Sequence, residues 1–275
     1  MPPISLVTDS SACLPAQAVR RYGITVLPIV IHLPTGDLRD DTPEAGTMVY
    51  EAMARGEPVK SSAPSTLEYL AAMEQGEGDV VVITPAAEFT AMYRNAAVAA
   101  EIAGGRAAVV DSRTAAAAQG LVTLAAADVA ATGGSAGAVV RAAEDAGRRA
   151  ELVAALDGLE HIKRSGRVPG VALELAHQLG IRPVFRLHAG TTERLGVPRS
   201  PAAALRRIRR EATARGVERS PATMVFHAAS LGRAEELRGL LGHGAPLTEF
   251  SPSMGIHTGA GVVGVAWLRA SSGER

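Results

Sequence analysis

The feature that most narrows the fold of this chain is an alternation. The short β-rich runs "ISLVT" (4–8), "ITVLPIVIH" (24–32), "DVVVIT" (79–84) and "RAAVVDS" (106–112) each lead on to a stretch of helical composition. Helix signals fall where they are needed. "LPAQAVRRYG" has Pro15 in its first turn and Gly23 closing it, and "TPEAGTMVYEAMARG" has a capping Thr42 ahead of Pro43 and Glu44. Proline suits a first turn because its missing N–H would have no helical partner there, and glycine suits a helix end because it enters the left-handed region without strain. Pro28 inside the second run points to a sheet edge or a bulge. Strands alternating with helices connect through right-handed crossovers into a largely parallel sheet, with helices on both faces.

A helix ends around Gly133–Gly134, and near Ala150 the character changes. The second half runs through "AELVAALDG" (150–158), a basic turn "HIKRSGRVPG" (161–170), a strand "IRPVFRL" (181–187) and a long helix over 202–215. The strands "ATMVFHA" (222–228) and "GVVGVAW" (261–267) follow. The chain is therefore expected to be α/β with two domains: 1–150 in three layers around a parallel sheet, and a smaller 151–275 around a mixed sheet. Its 275 residues allow that division.

Composition removes several function classes. The formal net charge is zero, so no basic surface is expected for nucleic acid. Cys13 is the only cysteine, which rules out a disulfide framework and a thiolate metal cluster, and the seven histidines lack His-x-x-x-His spacing, so no metal is expected. No apolar run approaches a membrane span, and no basic-then-apolar leader opens the sequence. The expectation is a cytoplasmic protein with at most transient membrane contact. Apolar residues make up 47% and aromatics 3%, which predicts an aliphatic, alanine-rich interior without platforms for stacking bases or sugars.

Two motifs invite a catalytic reading. "SMGIHTGAGVVGVAW" (253–267) contains G-x-G-x-x-G at Gly259, Gly261 and Gly264. A dinucleotide site needs a helix after that pattern and an acidic residue about twenty positions on. Only eleven residues follow Gly264, and "VVGVAWL" reads as a strand, so the match is a coincidence. No Walker lysine motif is present either. "VTDSSA" places Asp9, Ser10 and Ser11 after the first strand, but the nucleophile elbow G-x-S-x-G is absent, and turn and cap chemistry accounts for such a run. A wider pattern remains: hydroxyl residues at Thr8–Ser11, Ser61–Ser62, Thr84 with Thr90, and Ser112 follow strands or open helices. At the carboxyl ends of parallel strands such groups can hold a small anion.

A series of motifs carries a family resemblance from about Ile4 to Trp267: "VTDSSACLP" (7–15), "KSSAPS" (60–65), "FTAMYRNA" (89–96), "VVDS" (109–112), "RSGRV" (164–168), "GIRPVF" (180–185) and "GIHTGAG" (255–261). In this order and at these spacings they resemble the DegV family of bacterial fatty-acid-binding proteins. The resemblance implies a long-chain acyl group in an apolar tunnel between the two α/β domains, with its carboxylate held by hydroxyl side chains. The family's hydroxyl ligands fall on Ser61 and Thr90, and its head-group histidine on His257. A family arginine falls on Arg199, at the head group or a docking surface. Arg167 matches a Gly-Gly-Arg element where an ion pair is as good an account as function, and Ser10 is a further head-group candidate. The chain departs from the family at Ala63 for glutamine, Ala260 for proline, and Ala91–Met92 for Gly-Thr.

The resemblance further implies a non-enzymatic carrier that needs no cofactor and presents its fatty acid to a separate ATP-dependent kinase, which phosphorylates the carboxylate. Each buried methylene contributes roughly 0.8 kcal/mol, so a tail of about sixteen carbons would supply on the order of 10 kcal/mol before ordering costs. Two rivals stay open: a hydrolase-like enzyme using His257 with Ser10 or Ser61, and a carrier of another small anion.

Overall fold

A computed structural model of the chain describes residues 4–76, 78–166, 180–242 and 244–270. The first strand, β1 (Ser5–Asp9), passes through a 3₁₀ turn at Ser10–Ala12 into α1 (Ala16–Tyr22), with Pro15 as its N-cap and Gly23 closing it in the left-handed region. The apolar run 24–32 is two strands rather than one. β2 (Thr25–Leu27) pairs with β1, whereas β3 (Val30–Leu33) joins a separate sheet. Pro28 lies at the break, as a residue without a ladder donor must. That separate sheet also holds β4 (Gly36–Arg39) and, after α2 (Ala45–Ala54), β5 (Lys60–Ser62), both antiparallel to β3. Thr42 does not cap α2; its hydroxyl donates to the Arg39 carbonyl, and the helix begins beyond Glu44.

The rest of the first half follows the expected alternation: α3 (Thr66–Glu74), β6 (Val80–Thr84), α4 (Met92–Ile102), β7 (Ala107–Asp111), α5 (Ala116–Ala131) and α6 (Ala136–Arg149). The four-stranded sheet has the order β2-β1-β6-β7 and is parallel throughout. Strand alternation sorts its faces. Val80 and Val82 pack with Tyr69, Met92 and Ala96 of α3 and α4, while Val81 and Ile83 pack with the alanines of α5 and α6.

The second half comprises β8 (Ala150–Ala155), α7 (Glu160–Ser165), β9 (Val184–His188), β10 (Thr191–Gly196), α8 (Pro201–Ala214), β11 (Thr223–His227), α9 (Leu231–Leu241), β12 (Leu247–Glu249), α10 (Pro252–Thr258) and β13 (Val263–Leu268). Its sheet is six-stranded and mixed, ordered β10-β9-β8-β13-β11-β12, with β11 and β12 the parallel pair. α8 and α9 cover one face, where Leu205, Ile208, Leu237 and Trp267 are buried. The segment read as a basic turn is helical at α7 in its described part.

α5 explains the alanine-rich composition. It packs against β1 and β6 of the parallel sheet and against β8, β11 and β13 of the mixed sheet, and its residues from Ala116 to Thr123 are all buried. A helix enclosed on two sides has no polar face and needs thin side chains to admit both sheets. Gly120 marks the tightest approach: a Cβ there would run into the Ala12 carbonyl oxygen.

Candidate functional site

Below α5 the two halves of the chain enclose a cavity of about 320 Å³. Its walls are mostly apolar, with Leu152 and Ala154 from β8, Phe185 from β9, Phe226 from β11, and Phe250 and Met254 from the segment leading through α10. Phe226 and Phe250 stack with centroids 5.0 Å apart. This size and lining suit a small apolar ligand held by a few polar groups.

Ser61, Thr90 and His257 all line this cavity. Ser61 is the middle residue of the edge strand β5, paired opposite Ile31 of β3. His257 sits on α10, which starts with Pro252 at its first turn and packs on α2. Gly255 permits that packing, because a Cβ there would lie 2.9 Å from two ring carbons of Tyr50. The Ser61 hydroxyl and His257 Nε2 are 3.0 Å apart, a hydrogen bond between residues 196 positions apart in sequence. Which atom donates depends on the imidazole tautomer. Thr90 lies just before α4, and its hydroxyl oxygen accepts from the Met92 N–H at 3.4 Å. Of the positions that depart from the family pattern, Ala63, Ala91 and Met92 line the cavity, and Ala260 is exposed beside Gly261.

The remaining predicted residues lie elsewhere. Ser10 does not border the cavity; its hydroxyl donates to Asp40 Oδ2 at 2.6 Å, and Ser253 donates to the same oxygen at 2.5 Å. Asp40 also accepts the Ile29 N–H at 2.8 Å, so it ties the start of α10 to the first half of the chain. Arg199 is exposed just ahead of α8 and borders neither this cavity nor its neighbour. Arg167 lies outside the described residues.

Further polar groups line the cavity: Ser11, which belongs to the hydroxyl run Thr8–Ser11 read from the sequence, and Arg186, Thr192, Ser253 and Thr258. Ser11, rather than Ser10, borders it, held by a fully buried cluster. Asp9 Oδ1 accepts from the Ser11 N–H at 3.0 Å and from the Ser11 hydroxyl, and Asp9 Oδ2 accepts from Gln119 at 3.0 Å. Burial pushes the Asp9 carboxyl up to about 6, against the pull of those hydrogen bonds. Arg186 also lines the cavity, but its guanidinium donates twice to the buried Glu151 carboxylate at 2.7 Å and once to Glu193 at 3.3 Å. A charge so fully paired is a wall and not a ligand-seeking group.

The G-x-G-x-x-G glycines have three separate reasons, none of them a phosphate. Gly259 and Gly261 have φ of +82° and +89°, the first packed on the His161 ring and the second between Asp157 and Arg233. Gly264 is in β13, where a Cβ would lie 2.7 Å from both Ala154 Cβ and the Val153 carbonyl oxygen. Among the described residues no group of three or more His, Cys, Asp or Glu side chains is placed to hold a metal ion. No described helix is long and apolar enough to cross a membrane.

A parallel sheet and a mixed sheet sharing α5, with an apolar cavity between them and hydroxyls at its wall, define the class: an α/β protein built around an apolar compartment. The chain belongs to the DegV family, whose model, described as "Uncharacterised protein, DegV family", matches residues 3–270. A DegV domain-containing protein of Streptomyces coelicolor is 30% identical over 272 residues, covering 95% of this chain and 97% of its own. One from Mycobacterium tuberculosis is 29% identical over 282 residues, covering 95% and 96%. Among solved structures, a DegV family protein from Thermus thermophilus described for its fatty acid binding superposes with a TM-score of 0.88 at 25% identity, covering 98% of this chain and 100% of its own. DegV from Bacillus subtilis, described as a fatty acid binding protein, superposes at 0.83 with 22% identity, covering 98% and 100%, and speaks to the fold.

Proposed function

We propose that this chain binds a long-chain fatty acid in the apolar cavity, with the carboxylate at Ser61, Thr90 and His257. The observation that carries the reading is the Ser61–His257 hydrogen bond set in the wall of an otherwise apolar compartment. With the proton on Nε2, the imidazole donates to the Ser61 oxygen and leaves the serine proton free for a carboxylate. Thr90 is in the same position, since its oxygen already accepts from the Met92 N–H. Two hydroxyl donors can replace the water a carboxylate loses on entry, and the aliphatic walls supply the affinity. In this reading the compartment lies between two domains, 1–150 and 151–275, in a cytoplasmic protein.

The protein would then act as a carrier that presents the carboxylate to a separate ATP-dependent kinase for acyl-phosphate formation. Arg199, exposed ahead of α8, would stand on the surface offered to that partner. The test is to denature the protein purified from bacteria, extract it with organic solvent and identify the released species by mass spectrometry. A near-stoichiometric fatty acid is expected, and an extract of folded protein without acyl species would overturn the reading.

The same hydrogen bond favours a second reading. With the proton on Nδ1, His257 Nε2 accepts from Ser61 and the pair has the nucleophile–base geometry of a hydrolase. The two readings require opposite tautomers. Turnover of p-nitrophenyl palmitate that disappears in Ser61→Ala would favour the enzyme, and no turnover by fatty-acid-free protein favours the carrier.

A further inference from the structure

Asp40 directly follows β4 and is only 4% exposed, and among the described residues it forms no ion pair. A buried carboxylate without a cation has to be met by hydrogen-bond donors, and three converge on it. Its Oδ1 accepts the Ile29 N–H at 2.8 Å, while its own N–H donates to the Ile29 carbonyl at 2.9 Å. That reciprocal pair fixes Asp40 to the residue just ahead of β3. Its Oδ2 takes the hydroxyls of Ser10 and Ser253.

The two sides of this carboxylate lead to the two members of the Ser61–His257 hydrogen bond. From Ile29 the chain enters β3, whose Ile31 is the register partner of Ser61 in β5. From Ser253 it is four residues to His257, one turn along the same face of α10. α10 has seven residues, of which Ser253 and Gly255 are buried, so a helix this short is held by what it docks on and not by its own propensity. It rests on α2, α7 and β5, and meets Tyr50 of α2 through Gly255. A contact without a side chain lets the helix come close but does not set its rotation, whereas a hydroxyl aimed at a charged acceptor does. We infer that Asp40 is a positioning residue for the head-group site: acting through Ser253, it sets α10 so that His257 Nε2 stands 3.0 Å from the Ser61 hydroxyl. Its effect on ligand affinity rests on the fatty-acid reading, while the alignment of the imidazole does not.

The test measures palmitate affinity and the imidazole ¹⁵N NMR signals of His257 in fatty-acid-free wild type, Asp40→Asn, Ser253→Ala and Ser10→Ala. Among the seven histidines, the His257 signals are those that His257→Ala removes. Thermal unfolding shows which variants are folded at the temperature used, and should Asp40→Asn not be, the two serine variants carry the comparison. Ser10 and Ser253 bond the same oxygen, but only Ser253 belongs to α10. The expected result is a loss of about tenfold in palmitate affinity in Asp40→Asn and in Ser253→Ala, with the His257 signals moved. Ser10→Ala should stay within about twofold of wild type, with those signals unmoved. In a His257→Ala background, Asp40→Asn and Ser253→Ala should each cost no more than about twofold further, because the residue they act through is gone. A loss in that background as large as in wild type, or Ser10→Ala as costly as Ser253→Ala, reduces Asp40 to a structural brace and overturns the inference. Unmoved His257 signals in Asp40→Asn and Ser253→Ala overturn it too. If palmitate fails to bind wild type, the fatty-acid reading falls, and the His257 signals alone decide whether Asp40 positions the imidazole.

Discussion

At the scale of single residues, Ser61 and Thr90 make the sharpest demand. If both donate to one carboxylate, Ser61→Ala and Thr90→Val each remove a charge-assisted hydrogen bond, costing roughly 1.5–3 kcal/mol or about ten- to a hundredfold in affinity. Because the donors share an acceptor, the double variant should lose less or more than the sum of the singles, and titration with palmitate measures the difference. Asp9 makes a prediction about pH. Its carboxyl lies at about 6 in the fold against an ordinary 3.8, so between those values the folded chain holds a proton that the unfolded chain has released. This group's contribution to stability is therefore full below pH 3.8, declines as pH rises towards 6, and levels off above it. Denaturant titrations at several pH values should show a fall across that window that is flattened in Asp9→Asn, by up to about 3 kcal/mol from a shift of roughly two pH units.

At the scale of elements, the sequence signals succeed where local chemistry decides and fail where partners do. The strands β1, β6, β11 and β13 are legible because each is a short, mainly apolar run buried on both faces, and the half-buried β7 by its Ala-Ala-Val-Val run. β4 ("GDLR") and β5 ("KSS") carry no apolar alternation and exist by pairing with β3, so the three-stranded sheet was invisible in advance. α10 was hidden for a similar reason: seven residues with Gly255 among them form a helix because Pro252 starts it and α2 receives it. Ser61, Thr90 and His257 came from resemblance, since no periodicity links residues so far apart. Ser11 stood in the hydroxyl run Thr8–Ser11 but was not set apart from Ser10, because a cavity-facing hydroxyl and a capping hydroxyl look alike in sequence. Gly264 offers a test at this scale. Its added Cβ would press on Phe226, Ala154 and the Val153 carbonyl, so Gly264→Ala should overpack the sheet centre and cost about 1–3 kcal/mol, read as a lowered midpoint in thermal unfolding.

At the scale of the whole molecule, a ligand bound in the compartment as proposed would be coupled to the fold. Cavity walls come from β8, β9 and β11 of the mixed sheet and from Ala115 and Ala116 at the start of α5, the helix that both sheets share. Stripping the ligand should therefore lower the thermal midpoint of the entire chain, and adding palmitate back at about 100 times its Kd should restore roughly 2.7 kcal/mol. The position of β13 has a consequence for biosynthesis. It lies between β8 and β11 in the mixed sheet, yet every other strand of that sheet precedes it in the chain. On the ribosome, β8 and β11 emerge with unpaired edges that wait for Val263–Leu268, and α10 with His257 emerges just before that strand. The compartment closes only when translation has passed β13, so any ligand it takes would be loaded after that strand is made and not into the nascent chain before it.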